Sequence, residues 1–370
     1  MDKPRLWSKL PRHMLPIVCA DLPGLSATCG PNDRECEEVL AKKPAGTGRF
    51  HWVQVAKTNL GTQQVRAALA RSVGADPAVV ACAGNRDRQG RCIQWFSIPI
   101  EVVDHPGPLR RAGVQGKMRV LTINASHKPV GPETIERLKW TLHLRGGSAG
   151  DGYLRARAIV DRLRHDGFPN YLLPRQIGEE GGLARWGRQM VDGRRLPPQV
   201  AAKTDPARYL RALQEELFND WLGRRVADGL LAACVVGDLV RGNTGEISVV
   251  SDPLAVAKRL DSWEAVVLGP LYGNGMAPAA ADAAARELAV LTDAGLAVAQ
   301  VARLRGDRRP ARAQPAKSVV DRVKGDVVIN CELPSDTYVD AMLAELLRSE
   351  VSEVEEEESS TEEPPSEESV

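Results

Sequence analysis

The stretch VVACAGNRDRQGRCIQWFSIPIEVV, residues 79–103, sets two apolar, strand-like runs around the turn RDRQG. Its composition predicts two neighbouring strands joined by a charged loop. Asp87 lies between Arg86 and Arg88 in that loop. An aspartate in a loop is usually a turn former or half of a surface ion pair. Two flanking guanidiniums also favour its ionised form. A carboxylate held ionised suits a nucleophile or a base better than a general acid. Arginines beside it suit phosphate.

The neighbouring segments extend the pattern. In 46–61, Phe50, Trp52, Val53 and Val55 mark a strand. TQQVRAALARSVG follows, with Thr62 as a cap, Val65, Ala68 and Leu69 on one face, and Gly74 as a stop. RVLTINASHKP and RLKWTLHLR read as further strands, and 151–166 as a helix ended by Gly167 and Pro169. Residues 46–166 therefore read as α+β, with strands often adjacent rather than alternating with helices. Asp205 and Pro206 then open a long helix with an apolar stripe of Leu210, Leu213, Leu217, Trp221 and Val226. Residues 279–295 are alanine-rich and helical, and 304–318 (LRGDRRPARAQPAKS) read as an exposed basic loop. KGDVVINCELP (324–334) returns to strand character, and TYVDAMLAELL is a short amphipathic helix. A mostly helical middle between two strand-bearing parts suggests an inserted domain.

A chain of 370 residues with 43% hydrophobic content can hold two domains. No apolar run is long enough to span a membrane. Pro16, Asp21 and Pro23 break the N-terminal apolar stretch, which argues against a signal peptide. Seven cysteines without a CxxC pair argue against a disulfide framework and a zinc knuckle, and fit a reducing cytoplasm. The net charge of +1 hides an asymmetry. Residues 349–370 hold ten of the 48 Asp and Glu and none of the 49 Lys and Arg, which leaves +11 on residues 1–348. A basic body suits a polyanion, and the acidic tail reads as disordered. Other chemistries find less support. GGSAG (146–150) has the form of a nucleophile elbow, but His165 is the only histidine after Ser148 and leaves no room for an acid strand. Gly147, Gly150 and Gly152 lack dinucleotide spacing, GPLYGNG lacks the Lys-Ser/Thr of a P-loop, and no HExxH occurs.

Four stretches, in order, resemble the TruD-type tRNA pseudouridine synthases. AGNRDRQGRCIQW resembles the family segment around its catalytic aspartate, with Gly84 and Gln94 matching. GFPNYLLPRQIG (167–178) resembles GxPNYFGxQRFG, YLRALQEELFND (209–220) an Ala…Leu-Phe-Asn helix, and ELPSDTYVDAMLAELL (332–347) the closing segment. The chain also departs from the family pattern. Arg86 replaces Lys, Arg34 stands at an expected Phe, and Thr28 at an expected Lys. Leu138 and Trp140 replace Asn and Phe, Arg175-Gln176 inverts Gln-Arg, and Asp340 replaces Thr.

The resemblance implies a pseudouridine-synthase-like mixed, largely antiparallel sheet with flanking helices. It divides the chain into a catalytic domain (1–170 and 319–348), an inserted domain (171–318) and an acidic tail (349–370). It implies isomerisation of uridine to pseudouridine in tRNA, at position 13, on a base flipped out of its stack. Asp87 would be the nucleophile or base. Arg86, Arg88, Gln94, Asn170, Tyr171, Arg175 and Tyr338 would contact RNA. The implied partner is tRNA or another structured RNA. No cofactor, metal or membrane is expected, and the protein is expected to be a cytoplasmic monomer. The departures keep open a non-catalytic RNA-binding relative of the same fold.

Overall fold

The computed structural model describes residue 15 and residues 17–172, 182–202 and 204–347. The first part of the chain forms β1 (Arg34–Leu40), β2 (Phe50–Thr58), β3 (Ala81–Cys82), β4 (Arg91–Pro99), β5 (Gly113–Val114), β6 (Met118–Ser126) and β7 (Ile135–Leu144). Helices α1 (Thr62–Ser72) and α2 (Gly107–Arg111) interrupt these strands. Helix α3 (Gly152–Asp166) and β8 (Phe168–Pro169) follow β7. The middle holds α4 (Gly182–Val191), α5 (Pro206–Ala227), β9 (Leu239–Gly242), β10 (Ile247–Val249), α6 (Pro253–Asp261), β11 (Ala265–Leu271), α7 (Ala281–Asp293) and β12 (Asp307–Pro310). The chain closes with β13 (Arg312–Ala313), β14 (Ala316–Val323), β15 (Asp326–Pro334) and α8 (Val339–Leu347).

Nine strands make the main sheet, in the order β14-β15-β7-β1-β4-β2-β6-β5, with β3 on β4. The β1–β4 pair is parallel and the other neighbours are antiparallel. Two helical layers divide its apolar surface. Val65 and Leu69 of α1 and Leu109 of α2 pack with Val53, Val55, Phe96 and Ile98. Ile159 and Leu163 of α3 and Met342 and Leu346 of α8 pack with Leu142, Leu144, Ile329 and Leu333. Each such fully buried side chain contributes about 1.5–3 kcal/mol of transfer free energy. The N-terminal segment is tied to α8, because Glu345 accepts the backbone N–H groups of Val18 and Cys19 at 3.0 Å.

The chain leaves the main sheet after α3 and rejoins it at Ala316. Helices predominate in between, but an antiparallel sheet of order β10-β9-β11-β12 runs through them. Asp205 caps α5 by accepting from the Ala207 N–H at 2.9 Å. Helix α5 lies close on β11 because position 269 is glycine; a Cβ there would stand 2.3 Å from the Trp221 ring. The expected exposed loop at 304–318 is instead β12, β13 and the start of β14. Arg309 and Arg312 are buried, each stacked on aromatic rings and bonded to backbone carbonyls. Ser148 is buried in the turn between β7 and α3, where its N–H donates to the Gly325 carbonyl. Among the described residues, no helix is long and apolar enough to cross a membrane.

Candidate active site

Asp87 sits in the loop 83–90 between β3 and β4, and its side chain is exposed. Buried polar groups hold this loop from several directions. Thr62 Oγ1 accepts the Arg86 N–H at 3.0 Å and donates to Gln94 Oε1 at 3.1 Å. Gln94 Nε2 donates to the Gly84 carbonyl at 2.9 Å. Asn59 and Gly90 exchange two hydrogen bonds, at 2.9 and 3.0 Å. Gly90 adopts φ +82° and passes so close to Pro31 that a Cβ would stand 2.4 Å from its carbonyl oxygen. Arg86 Nε is 2.7 Å from Glu38 Oε1, and the other oxygen of Glu38 accepts the Trp95 N–H at 2.7 Å. Burial pushes the Glu38 carboxyl above its usual range, against the pull of Arg86.

Lys57 completes the support. Val53, Val55 and Lys57 occupy the inward positions of β2, and all three are buried. The Lys57 Nζ donates to the Leu60 carbonyl at 2.9 Å and to the backbone carbonyl of Asp87 itself at 2.7 Å. Burial pulls this ammonium below the ordinary lysine range. Lys57→Met is therefore expected to keep the fold, since it removes a desolvated charge while keeping a similar volume. It frees the residue-87 backbone, and a misplacement of about 1 Å costs on the order of 100-fold in rate. Thermal melting together with single-turnover kinetics on RNA checks both halves.

Asp87 faces a cavity of about 310 Å³, within the range of small-ligand pockets. Its floor includes Cys36 and Cys92, side by side across the parallel β1–β4 pair, and Trp140 of β7. The far wall is the turn after β15 and the first residues of α8, Ser335–Asp340, which brings in Tyr338. Burial raises the Tyr338 phenol, Glu215 adds to the rise, and the Asp87 charge adds further. Arg309 of β12 lies 5.6 Å from the centroids of both the Tyr338 and Phe218 rings. Its guanidinium donates to Asn170 Oδ1 at 2.8 Å, and burial lowers its affinity for the proton. Arg211 of α5 also lines the cavity, paired at 3.0 Å with Glu215. Arg34 and Asp340 form an ion pair at 2.6 Å in the same wall. Arg34 is 7% exposed and also donates to the Cys29 carbonyl at 3.0 Å.

Asp87, Arg86 and Tyr338 thus border one cavity. The expectation of direct RNA contact needs correction at three positions. Gln94 is fully buried, with both ends of its amide committed to the loop. Asn170 is fully buried and bonded to Pro310 and Arg309. Tyr171 is buried in the core of the middle segment. Arg88 is exposed beside the site. Arg175 and Gln176 lie outside the described residues. The sequence reading missed Lys57, Arg211 and Arg309. Only Lys57 carried a signal, as a lysine at the inward parity of an apolar strand.

The cavity joins a carboxylate, an aromatic ring and guanidiniums, which suits an anionic, planar ligand. The fold matches that of a crystal structure titled for a candidate tRNA pseudouridine synthase D from Methanosarcina mazei. The TM-score is 0.69 at 17% identity, covering 92% of this chain and 98% of that one. The family model described as tRNA pseudouridine synthase D (TruD) matches residues 29–180 and 207–346. A tRNA pseudouridine synthase D from Anaeromyxobacter dehalogenans is 33% identical over 348 residues, covering 91% of this chain and 97% of the relative. The protein of that name from Thermus thermophilus is 30% identical over 341 residues, covering 90% and 92%. The chain belongs to the tRNA pseudouridine synthase D (TruD) family.

Proposed function

We propose that this protein isomerises uridine to pseudouridine in tRNA, at position 13, with Asp87 acting as nucleophile or base on a flipped-out uridine. The observation that carries the reading is the cavity shared by Asp87, Tyr338, Arg211 and Arg309. In this reaction the bond from N1 of uracil to the ribose breaks, the base turns over, and C5 bonds to the ribose. The hydrogen on C5 leaves to water, so no oxidant, reductant or hydrolytic water is needed. Tyr338 offers a ring against which the flipped base stacks, which offsets the few kcal/mol of unstacking. Arg211 and Arg309 supply positive field for the phosphates. Arg88 reaches the RNA from the loop. Gln94, Thr62, Lys57 and the Glu38–Arg86 pair hold Asp87 in place, and Asn170 holds Arg309. The segment 171–318 acts as an inserted domain that walls the cleft opposite the main sheet. The same reading makes the protein a cytoplasmic monomer.

Incubating the full chain with an unmodified tRNA transcript tritiated at uracil C5 tests this. Release of tritium in proportion to the tRNA is expected. Tight binding with no release would instead define a non-catalytic RNA-binding relative.

A further inference from the structure

A second cavity, of about 350 Å³, adjoins the first. Asp336 and Thr337 border both, so the turn that follows β15 stands between them. The second is walled by β7, β9, β11 and β13, where the main sheet meets the middle segment. Three arginines line it: Arg137, Arg241 and Arg312. Arg241, half-buried on β9, has no ion pair or hydrogen bond from its side chain among the described residues. Arg137 stands 3.9 Å from Glu332, beyond hydrogen-bond distance.

Arg312 is the most informative. It is 3% exposed, lies 4.0 Å from the Trp263 ring centroid and bonds to the backbone carbonyls of Asp166 and Leu260. No carboxylate among the described residues reaches it at ion-pair distance, and burial pulls it down to about 10, so it remains a cation at neutral pH. The charges of Asp261 and Asp166 act on it only from beyond ion-pair distance, so a desolvated cation here still favours an anion in the adjoining space. Trp263 itself is held at φ +62°, a costly conformation for a bulky side chain that persists where surroundings impose it. Its indole N–H donates to the His165 carbonyl at 3.0 Å, which fixes the ring beneath Arg312. Thr337, at the junction, is 5% exposed and its hydroxyl has no partner among the described residues. Two carboxylates also line the cavity, Glu136 and Asp336, and Asp336 interacts with the Arg309 charge on the other side.

We infer that the second cavity is a subsite for the RNA strand that flanks the target uridine. A phosphodiester next to the flipped nucleotide crosses the Asp336–Thr337 turn and is held by Arg241 and Arg137, in the field of Arg312. This inference rests on the RNA-modifying function proposed above.

The test measures binding of full-length protein to a labelled, unmodified tRNA transcript across a salt series. Arg241→Ala is expected to weaken binding about tenfold at 0.1 M salt and to lower the log–log salt slope by about one, as loss of one phosphate contact requires. Arg110→Ala, an exposed arginine on α2, serves as the comparison. Neutral methylphosphonate linkages, placed singly on either side of the target, then identify the phosphate. One such linkage should weaken wild-type binding about tenfold and leave Arg241→Ala binding unchanged. Equal losses in Arg241→Ala and Arg110→Ala, or unaltered binding by Arg241→Ala, would overturn the subsite while tritium release by the wild type leaves the function standing. A wild-type chain that neither binds tRNA nor releases tritium would remove both.

Discussion

Asp87→Asn is expected to lower tritium release from C5-labelled tRNA by about 10³-fold or more, the scale seen when a nucleophile or base is removed. Binding of the same tRNA should persist or tighten, because the substitution deletes a negative charge from a cavity bordered by Arg34, Arg211 and Arg309. The structure gives a reason to expect an intact fold. The loop is gripped through the Asp87 backbone carbonyl, by Lys57, and through Arg86, Gly84 and Gly90. A side-chain change at position 87 leaves those bonds in place. Activity and affinity should therefore separate. An Asp87→Asn protein that releases tritium at the wild-type rate would move the chemistry to another group.

The second large effect is expected on stability. Asp340→Ala leaves the Arg34 guanidinium buried with its NH1 group deprived of a carboxylate. Breaking a buried pair from one side costs about 3–5 kcal/mol. Asp340 is partly exposed, so the lower end of that range applies, and a shift of the urea midpoint without a change in slope measures it. Replacing both partners is expected to behave differently. Arg34→Phe with Asp340→Thr, the residues the resemblance leads one to expect there, removes the buried charge along with its partner. Most of the lost stability should return, because removing both charged partners leaves no buried charge uncompensated. A double-mutant cycle gives the coupling. A double variant no more stable than Asp340→Ala alone would show that the two positions are not exchanged as a unit.

The local elements were legible where local chemistry decides them. The β2 and β4 strands, the α1 and α3 helices and the Asp205 cap each stand within a few residues of their expected place, but Thr62 is not the cap of α1: Gly61 holds that position, and the Thr62 hydroxyl bonds to the Asp87 loop and Gln94. That Asp87 stands in a charged loop between two strands was legible, because the loop is short and its neighbours are distinctive. Arg309 and Arg312 were not. Their run of Arg and Pro resembles a solvated loop, and only Phe218, Tyr338 and Trp263, distant in sequence, make burial tolerable. The four-stranded sheet of the middle segment escaped for a related reason. Strands of three or four residues such as β9 and β10 are too short to display a period. The Arg34–Asp340 pair joins residues 306 apart, and no local pattern announces such a meeting. Gln94 and Asn170 were expected to contact RNA, but both are fully buried with their amides bonded inside the protein, and a sequence does not say which way a polar side chain turns.

Because β15 lies beside β7, and α8 holds the segment at Val18 and Cys19 through Glu345, elements about 190 to 330 residues apart close one architecture. A nascent polypeptide still lacking β15 and α8 has Asp87 but neither Tyr338 nor the wall that carries it.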